Sequence, residues 1–171
     1  MSSRQTGWLG RQFGALLLTV FALTGHAATQ APAHRAPNSE REKVVYHIDF
    51  YDKVHQINAL RNIQNHLDAT GAGNIKLVVV LHGDGLSMLL EPDALARLPA
   101  FEHANADKDM IARIDVLRQQ GVEFRVCANS MKRRGVDPER DLYHVDRRDI
   151  VPNGIAELAR LQMQGYAYVK P

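Results

Sequence analysis

Ile75-Lys-Leu-Val-Val-Val-Leu81 is apolar at every position but Lys76. A strand of that composition has no side to show to water, so both of its faces must be covered. That points to a central parallel strand with helices on each side. The neighbouring sequence fits this demand. Val44 to Phe50 carries the β-branched and aromatic residues of a strand, and Ile57, Leu60, Ile63 and Leu67 then recur at helical spacing until Gly71 and Gly73. Asn105 or Asp107 is placed to cap a second helix with Met110, Ile111, Ile114 and Leu117 on one face and Gly121 at its end. Val122 to Val126 reads as a third strand. After a charged, irregular stretch, Ile150-Val151 is a short apolar segment, and Pro152 suits a helix start. Ile155, Leu158, Ala159 and Met163 predict that helix's apolar side, Gly165 its end, and Tyr166 to Val169 a last short strand. Strands alternating with helices throughout predict an α/β fold built on a parallel sheet.

The first twenty-eight residues stand apart from this pattern. Arg4 and Arg11 form a basic start, Phe13 to Thr24 an apolar stretch, and Gly25-His26-Ala27 supplies small residues before Ala28. This is the pattern of a secretory signal peptide cleaved near Ala27/Ala28, and the apolar stretch falls short of a permanent membrane anchor. The expected destination is the periplasm. No paired arginines precede the apolar stretch, so a twin-arginine signal is not supported. Residues 29–42 lack apolar periodicity and read as a flexible lead-in, leaving 43–171 as one domain. The chain holds 21 Lys and Arg against 19 Asp and Glu, and losing Arg4 and Arg11 with the leader brings the two signs level. Nucleic-acid binding is therefore not expected, because phosphate contacts need a basic excess.

Ligands of open parallel sheets gather at the carboxyl ends of the strands. Here those ends carry Asp49 to His55, His82-Gly83-Asp84-Gly85, and Cys127-Ala128-Asn129-Ser130, which should share one rim. Cys127 is the only cysteine, so an intrachain disulfide is excluded. It stands where a strand empties into a helix start and just before Lys132-Arg133-Arg134. Positive charge and free helix N–H groups there would favour a thiolate, with Asn129 or Ser130 as the cap. The plainer alternative is a small buried residue filling a strand end. His82 and Gly83 are read either as an anion-holding turn or as a tight turn with a hydrogen-bonded histidine. A Cys-His-Asp arrangement of Cys127, His82 and Asp49 or Asp84 has the residue types but no local signature. His47, His55, His66, His82, His103 and His144 show no metal-ligand spacing, so no metal is expected from sequence motifs, although ligands distant in sequence can meet in space.

Gly121-Val-Glu-Phe-Arg-Val-Cys127, followed by a short helix ending Arg134-Gly135, is similar to the cysteine region of the DsrE/DsrF-like family. The closing stretch from Val151 to Pro171 resembles the C-terminus of its small exported members. Asn58, Asn62, Asn65 and His66 and the Leu81-His82-Gly83 turn add to the likeness, which covers Lys43 to Pro171. The resemblance implies a three-layer α/β/α sandwich with an open, five-stranded, mostly parallel sheet, and subunits that associate as trimers or hexamers. It also implies a cysteine that carries sulfur as a persulfide, in this chain Cys127. His82, Gly83, Asn129, Ser130 and Arg133 then become the expected binding residues for a small sulfur-containing anion or the persulfide, with an acceptor thiol protein as partner. Any activity would be sulfurtransferase-like, and such a carrier needs no metal or organic cofactor. Some relatives have a second cysteine soon after the first; Ala128, Asn129 and Ser130 stand here instead, so intramolecular resolution is excluded. Export also removes the chain from cytoplasmic tRNA thiolation. The contrasting expectation is an oligomeric binding or assembly protein of the same fold whose cysteine is structural.

Overall fold

The computed structural model describes residues 41–171; the expected signal peptide and nearly all of the lead-in lie outside them. Five strands, β1 (Glu42–Ile48), β2 (Ile75–Leu81), β3 (Glu123–Cys127), β4 (Ile150–Val151) and β5 (Ala167–Val169), form one sheet in the order β4-β3-β2-β1-β5. Every pairing is parallel. The apolar run Ile75–Leu81 is the central strand, and its alternate residues face opposite layers. Leu77, Val79 and Leu81 join a core with α1 (Lys53–Thr70) and α2 (Lys108–Gln119), whereas Val78 and Val80 meet Leu158 and Leu161 of α5 (Gly154–Met163). The layering follows from handedness. The chain steps from β1 through β4 in one direction, and the step to β5 reverses it, so right-handed crossovers put α5 on the other face.

Two short helices, α3 (Ala128–Arg134) and α4 (Pro138–Asp141), occupy the stretch between β3 and β4. Three boundaries differ from the sequence reading. β1 starts at Glu42, so the ordered strand takes the last residue assigned to the lead-in. Cys127 is itself the N-cap of α3, so Asn129 and Ser130 lie within its first turn. Asn153, not Pro152, begins α5, its side chain accepting from the Ala156 N–H at 3.0 Å. Asp107 caps α2, while Asn105 is buried and donates to the Tyr51 carbonyl and Gln56.

The apolar side expected for α5 is rotated. Leu158 and Leu161 are buried with Gly154 and Glu157, while Ile155, Ala159 and Met163 face outward, Met163 being 83% exposed. The cause is electrostatic. Glu157 ion-pairs with Arg125 of β3 and with Arg160 at 2.7 Å, and Arg125 also holds Glu123 at 2.6 Å. A buried carboxylate must keep its cations, so this cluster sets the helix's rotation over the sheet.

Candidate functional site

Side chains alternate across a strand, so Val45, His47 and then Asp49 just past the strand follow one side of β1. His47 pairs in register with Val80, and His82 is the next residue on that side of β2. Cys127 follows Arg125 on β3, and Tyr168 pairs with Val45. One face of the sheet, at its carboxyl rim beside α5, thus gathers Cys127, His82, His47, Asp49 and Tyr168.

Cys127 is 2% exposed. Burial alone pushes its thiol up, but nearby donors, the Ser130 hydroxyl first and then the N–H groups of Gly154, Ser130 and Asn129, bring it below its ordinary value, although the side chain makes no capping hydrogen bond to α3. Two helix starts, α3 and α5, therefore turn donors toward one sulfur. Ser130 is buried and also accepts the Gly83 N–H at 2.9 Å, which leaves its own hydrogen for the sulfur. Gly154 sits between the two chemistries. A Cβ added there would lie 2.8 Å from the His82 Cβ and 3.3 Å from the Cys127 Cβ, so only glycine lets α5 start this close.

The basic run divides between an ion pair and solvent. Arg134 pairs with Asp84, donates to the Ala100 carbonyl at 3.1 Å and lies over the Phe101 ring. Lys132 and Arg133 are exposed, and the Arg133 charge acts on His82. The largest influences favouring the thiolate come from uncharged donors. The turn after β2 is likewise used internally: Gly83 serves Ser130, and Gly85 lets the backbone meet Ile48, whose carbonyl oxygen would be 2.1 Å from an added Cβ. A six-residue 3₁₀ helix, Gly83–Met88, follows at once.

His47 Nε2 lies 2.9 Å from His82 Nδ1, and His47 Nδ1 lies 2.8 Å from the Tyr168 hydroxyl. Burial, then the Lys170 charge, lowers His47 to about 4, against the partial pull of Asp49; burial lowers His82 as well. Both rings are neutral at neutral pH. A Cys-His-Asp chain is not assembled, since the His82 Nδ1 meets a second imidazole and Asp84 is held by Arg134. The other described histidines lie elsewhere: His55 stacks on Phe50, His103 on Tyr51 and His144 on Tyr143, while His66 meets the Tyr46 hydroxyl. His47 as a site residue, Tyr168, Lys170 and Gly154 escaped the sequence reading. The available signal was the polar alternation of His47 and Asp49 after Val45. A groove of about 730 Å³ is lined by Arg118, Arg125, Arg148 and Arg160 among others, and its lining includes neither Cys127 nor His82.

Replacing Ser130 by Ala is expected to lower the thiolate-to-thiol ratio of Cys127 at neutral pH about tenfold, the worth of one hydrogen bond to a charged group. Ultraviolet absorbance of the thiolate through a pH titration measures it; an unchanged titration would show that Ser130 does not act on the sulfur.

Residues 50–171 match the profile of the DsrE/DsrF-like family. Among solved structures, the chain is similar to MTH1491, a protein of unknown function from Methanobacterium thermoautotrophicum, with 25% identity and a TM-score of 0.59. It is also similar in fold to the ychN protein from E. coli, with 15% identity and a TM-score of 0.53. Each likeness covers 76% of this chain and 99% of the other. No curated protein matches the chain.

Proposed function

The chain belongs to the DsrE/DsrF-like family, and we propose that within it this protein is a periplasmic, homo-oligomeric sulfur carrier using Cys127. Membership points to sulfur relay as the broad area of its chemistry. The observation that carries the finer reading is the place of the thiol, at the start of α3 and against the start of α5 at Gly154, where neighbouring Ser130 and N–H donors hold it below its ordinary value. A cysteine that only fills space needs no donors, whereas a thiolate or an anionic persulfide does.

The Cys127 thiolate attacks the outer, sulfane sulfur of a polysulfide or thiosulfate. The donor's S–S bond breaks as the new one forms, and a shorter polysulfide or sulfite departs with the electron pair. Cys127 is left as the persulfide anion. An acceptor thiolate then attacks the outer sulfur and releases the Cys127 thiolate, so no external oxidant or reductant enters. Ser130 and the N–H groups of Asn129, Ser130 and Gly154 hold the anion, and His82 with Arg133 borders the donor's approach. Export is supported by the leader sequence, and no described helix is long and apolar enough to cross a membrane. Assembly is supported by the outward apolar row Ile155, Ala159 and Met163 on α5.

The 2% exposure of Cys127 favours one rival, a binding or assembly protein with a structural cysteine. Intact-mass spectrometry of reduced protein, before and after polysulfide or thiosulfate, separates the two. The carrier gains sulfur mass on the wild type and none on Cys127→Ser. A reduced wild type that gains no sulfur from either donor would establish the structural reading.

A further inference from the structure

His47, Asp49 and His82 each offer one ligand atom, and these three atoms lie within 4.8 Å of one another. They come from the ends of two adjacent strands, 35 residues apart in the case of the histidines, which is why no sequence spacing announces them. We propose that they form a binding site for a divalent first-row transition ion of the zinc, nickel or copper type, beside the thiol and separate from it.

The distances suit such an ion. His47 Nε2 is 2.9 Å from His82 Nδ1 and 3.7 Å from Asp49 Oδ2. Ligand bonds of about 2.0–2.1 Å put neighbouring donor atoms roughly 3 Å apart, so small side-chain rotations close the set. Two imidazole nitrogens and one carboxylate oxygen on one side of an ion leave its remaining positions open. That donor mixture selects imidazole-seeking metals over magnesium and calcium, which prefer oxygen alone.

The supports are already in place, and both come from the C-terminal strand region. The Tyr168 hydroxyl engages His47 Nδ1 at 2.8 Å, the nitrogen that would not ligate. Lys170 pairs with Asp49 through Oδ1, leaving Oδ2 turned toward the imidazoles. Such outer contacts fix the orientation of metal ligands. The Lys170 charge opposes a dication, so the site is one of moderate affinity.

The proton count closes as well. In the ion-free pair, one ring hydrogen lies between His47 Nε2 and His82 Nδ1. With that hydrogen moved to the outer nitrogen of its ring, His47 donates from Nδ1 to Tyr168 and His82 carries its hydrogen on Nε2. The two inner lone pairs then face each other, and the cation takes the place of the shared hydrogen. Two neutral rings hold two hydrogens before and after, so no proton is released.

The test is calorimetric titration of tag-free, reduced, chelator-treated full-length protein with Zn²⁺ and Ni²⁺, with Mg²⁺ for comparison. One Zn²⁺ or Ni²⁺ per chain is expected, with no heat from Mg²⁺. Asp49→Asn and His82→Ala should each weaken binding at least tenfold, and Cys127→Ser should leave it unchanged. Should His82→Ala fail to fold by circular dichroism, Asp49→Asn decides. Co²⁺ should give visible ligand-field bands without a thiolate charge-transfer band. Absence of binding overturns the site, as does binding that survives both ligand substitutions or disappears with Cys127→Ser. Because Cys127→Ser abolishes the proposed sulfur uptake while sparing this ion, the two readings fail separately.

Discussion

Between pH 7 and pH 4, metal-free protein is expected to lose about 3 kcal/mol of folding stability through His47 alone. Its ring is lowered from 6.5 to about 4, first by burial and then by the Lys170 charge. Each unit of difference between folded and unfolded states is worth about 1.4 kcal/mol. The side chain is only 7% exposed, so solvent screening removes little of this. The folded protein refuses a proton that the unfolded chain accepts, so stability is full above pH 6.5 and falls as the pH drops toward 4. Below that, His47 costs nothing further. His82, lowered by burial, adds to the same slope. Asp141 acts in the next window. Arg140, Arg97 and the Asp137 N–H hold its carboxyl well below the usual carboxylate range, so its contribution is lost only as the solution becomes more acidic still. Urea denaturation at successive pH values measures the effect, with His47→Gln beside the wild type. The variant starts less stable and should have a much flatter profile between pH 6.5 and 4. Equal slopes in the two proteins would mean that His47 is not held neutral by the fold.

Gly154→Ala is expected to damage stability and the thiolate together. The added carbon would stand 2.8 Å from the His82 Cβ, and neither carbon is the end of a flexible chain. Relief requires the start of α5 to move outward, at a cost of about 2 kcal/mol. That movement withdraws the Gly154 N–H from the sulfur, one of the donors that favours ionisation. A hydrogen bond to a charged group is worth about 1.5–3 kcal/mol, so the thiolate-to-thiol ratio at neutral pH should fall on the order of 10- to 100-fold. Ultraviolet titration of the thiolate and urea denaturation report the two effects. Gln162→Ala, an exposed change on the same helix and outside its apolar row, should change neither. A wild-type thiolate titration in Gly154→Ala would remove α5 from the account of the sulfur's chemistry.

Most of the architecture is legible in one dimension because it rests on local periodicity. The run Ile75–Leu81 could only be a covered strand, and it is the middle of five. Ile63 and Leu67, like Met110, Ile114 and Leu117, repeat at helical spacing and are buried accordingly. The exception is α5. Its sequence pattern favoured Ile155 and Met163 as inward residues, but the pattern could not register that Glu157 would meet Arg125, thirty-two residues earlier. An ion pair between distant elements overrode hydrophobic spacing.

The rim shows the same division. Strand ends and the parallel sheet are enough to place His82, Gly83, Cys127 and Ser130 at one edge, since all parallel strands finish on the same side. Which donors reach the sulfur was not available from that logic. Lys132, Arg133 and Arg134 lie close to Cys127 in sequence, yet Arg134 turns to Asp84 and the other two to solvent. The donor from Gly154 comes from a helix twenty-seven residues away, and it arrives only because the chain reverses direction after β4. His47 and Tyr168, on the first and last strands, become partners because β5 lies against β1. The sequence by itself determined the strands, the helices and the edge at which chemistry gathers, because those depend on residues a few positions apart. The tertiary structure alone decided which polar groups meet across that edge, because hydrogen bonds and ion pairs act over a few ångströms of space, irrespective of how much chain lies between.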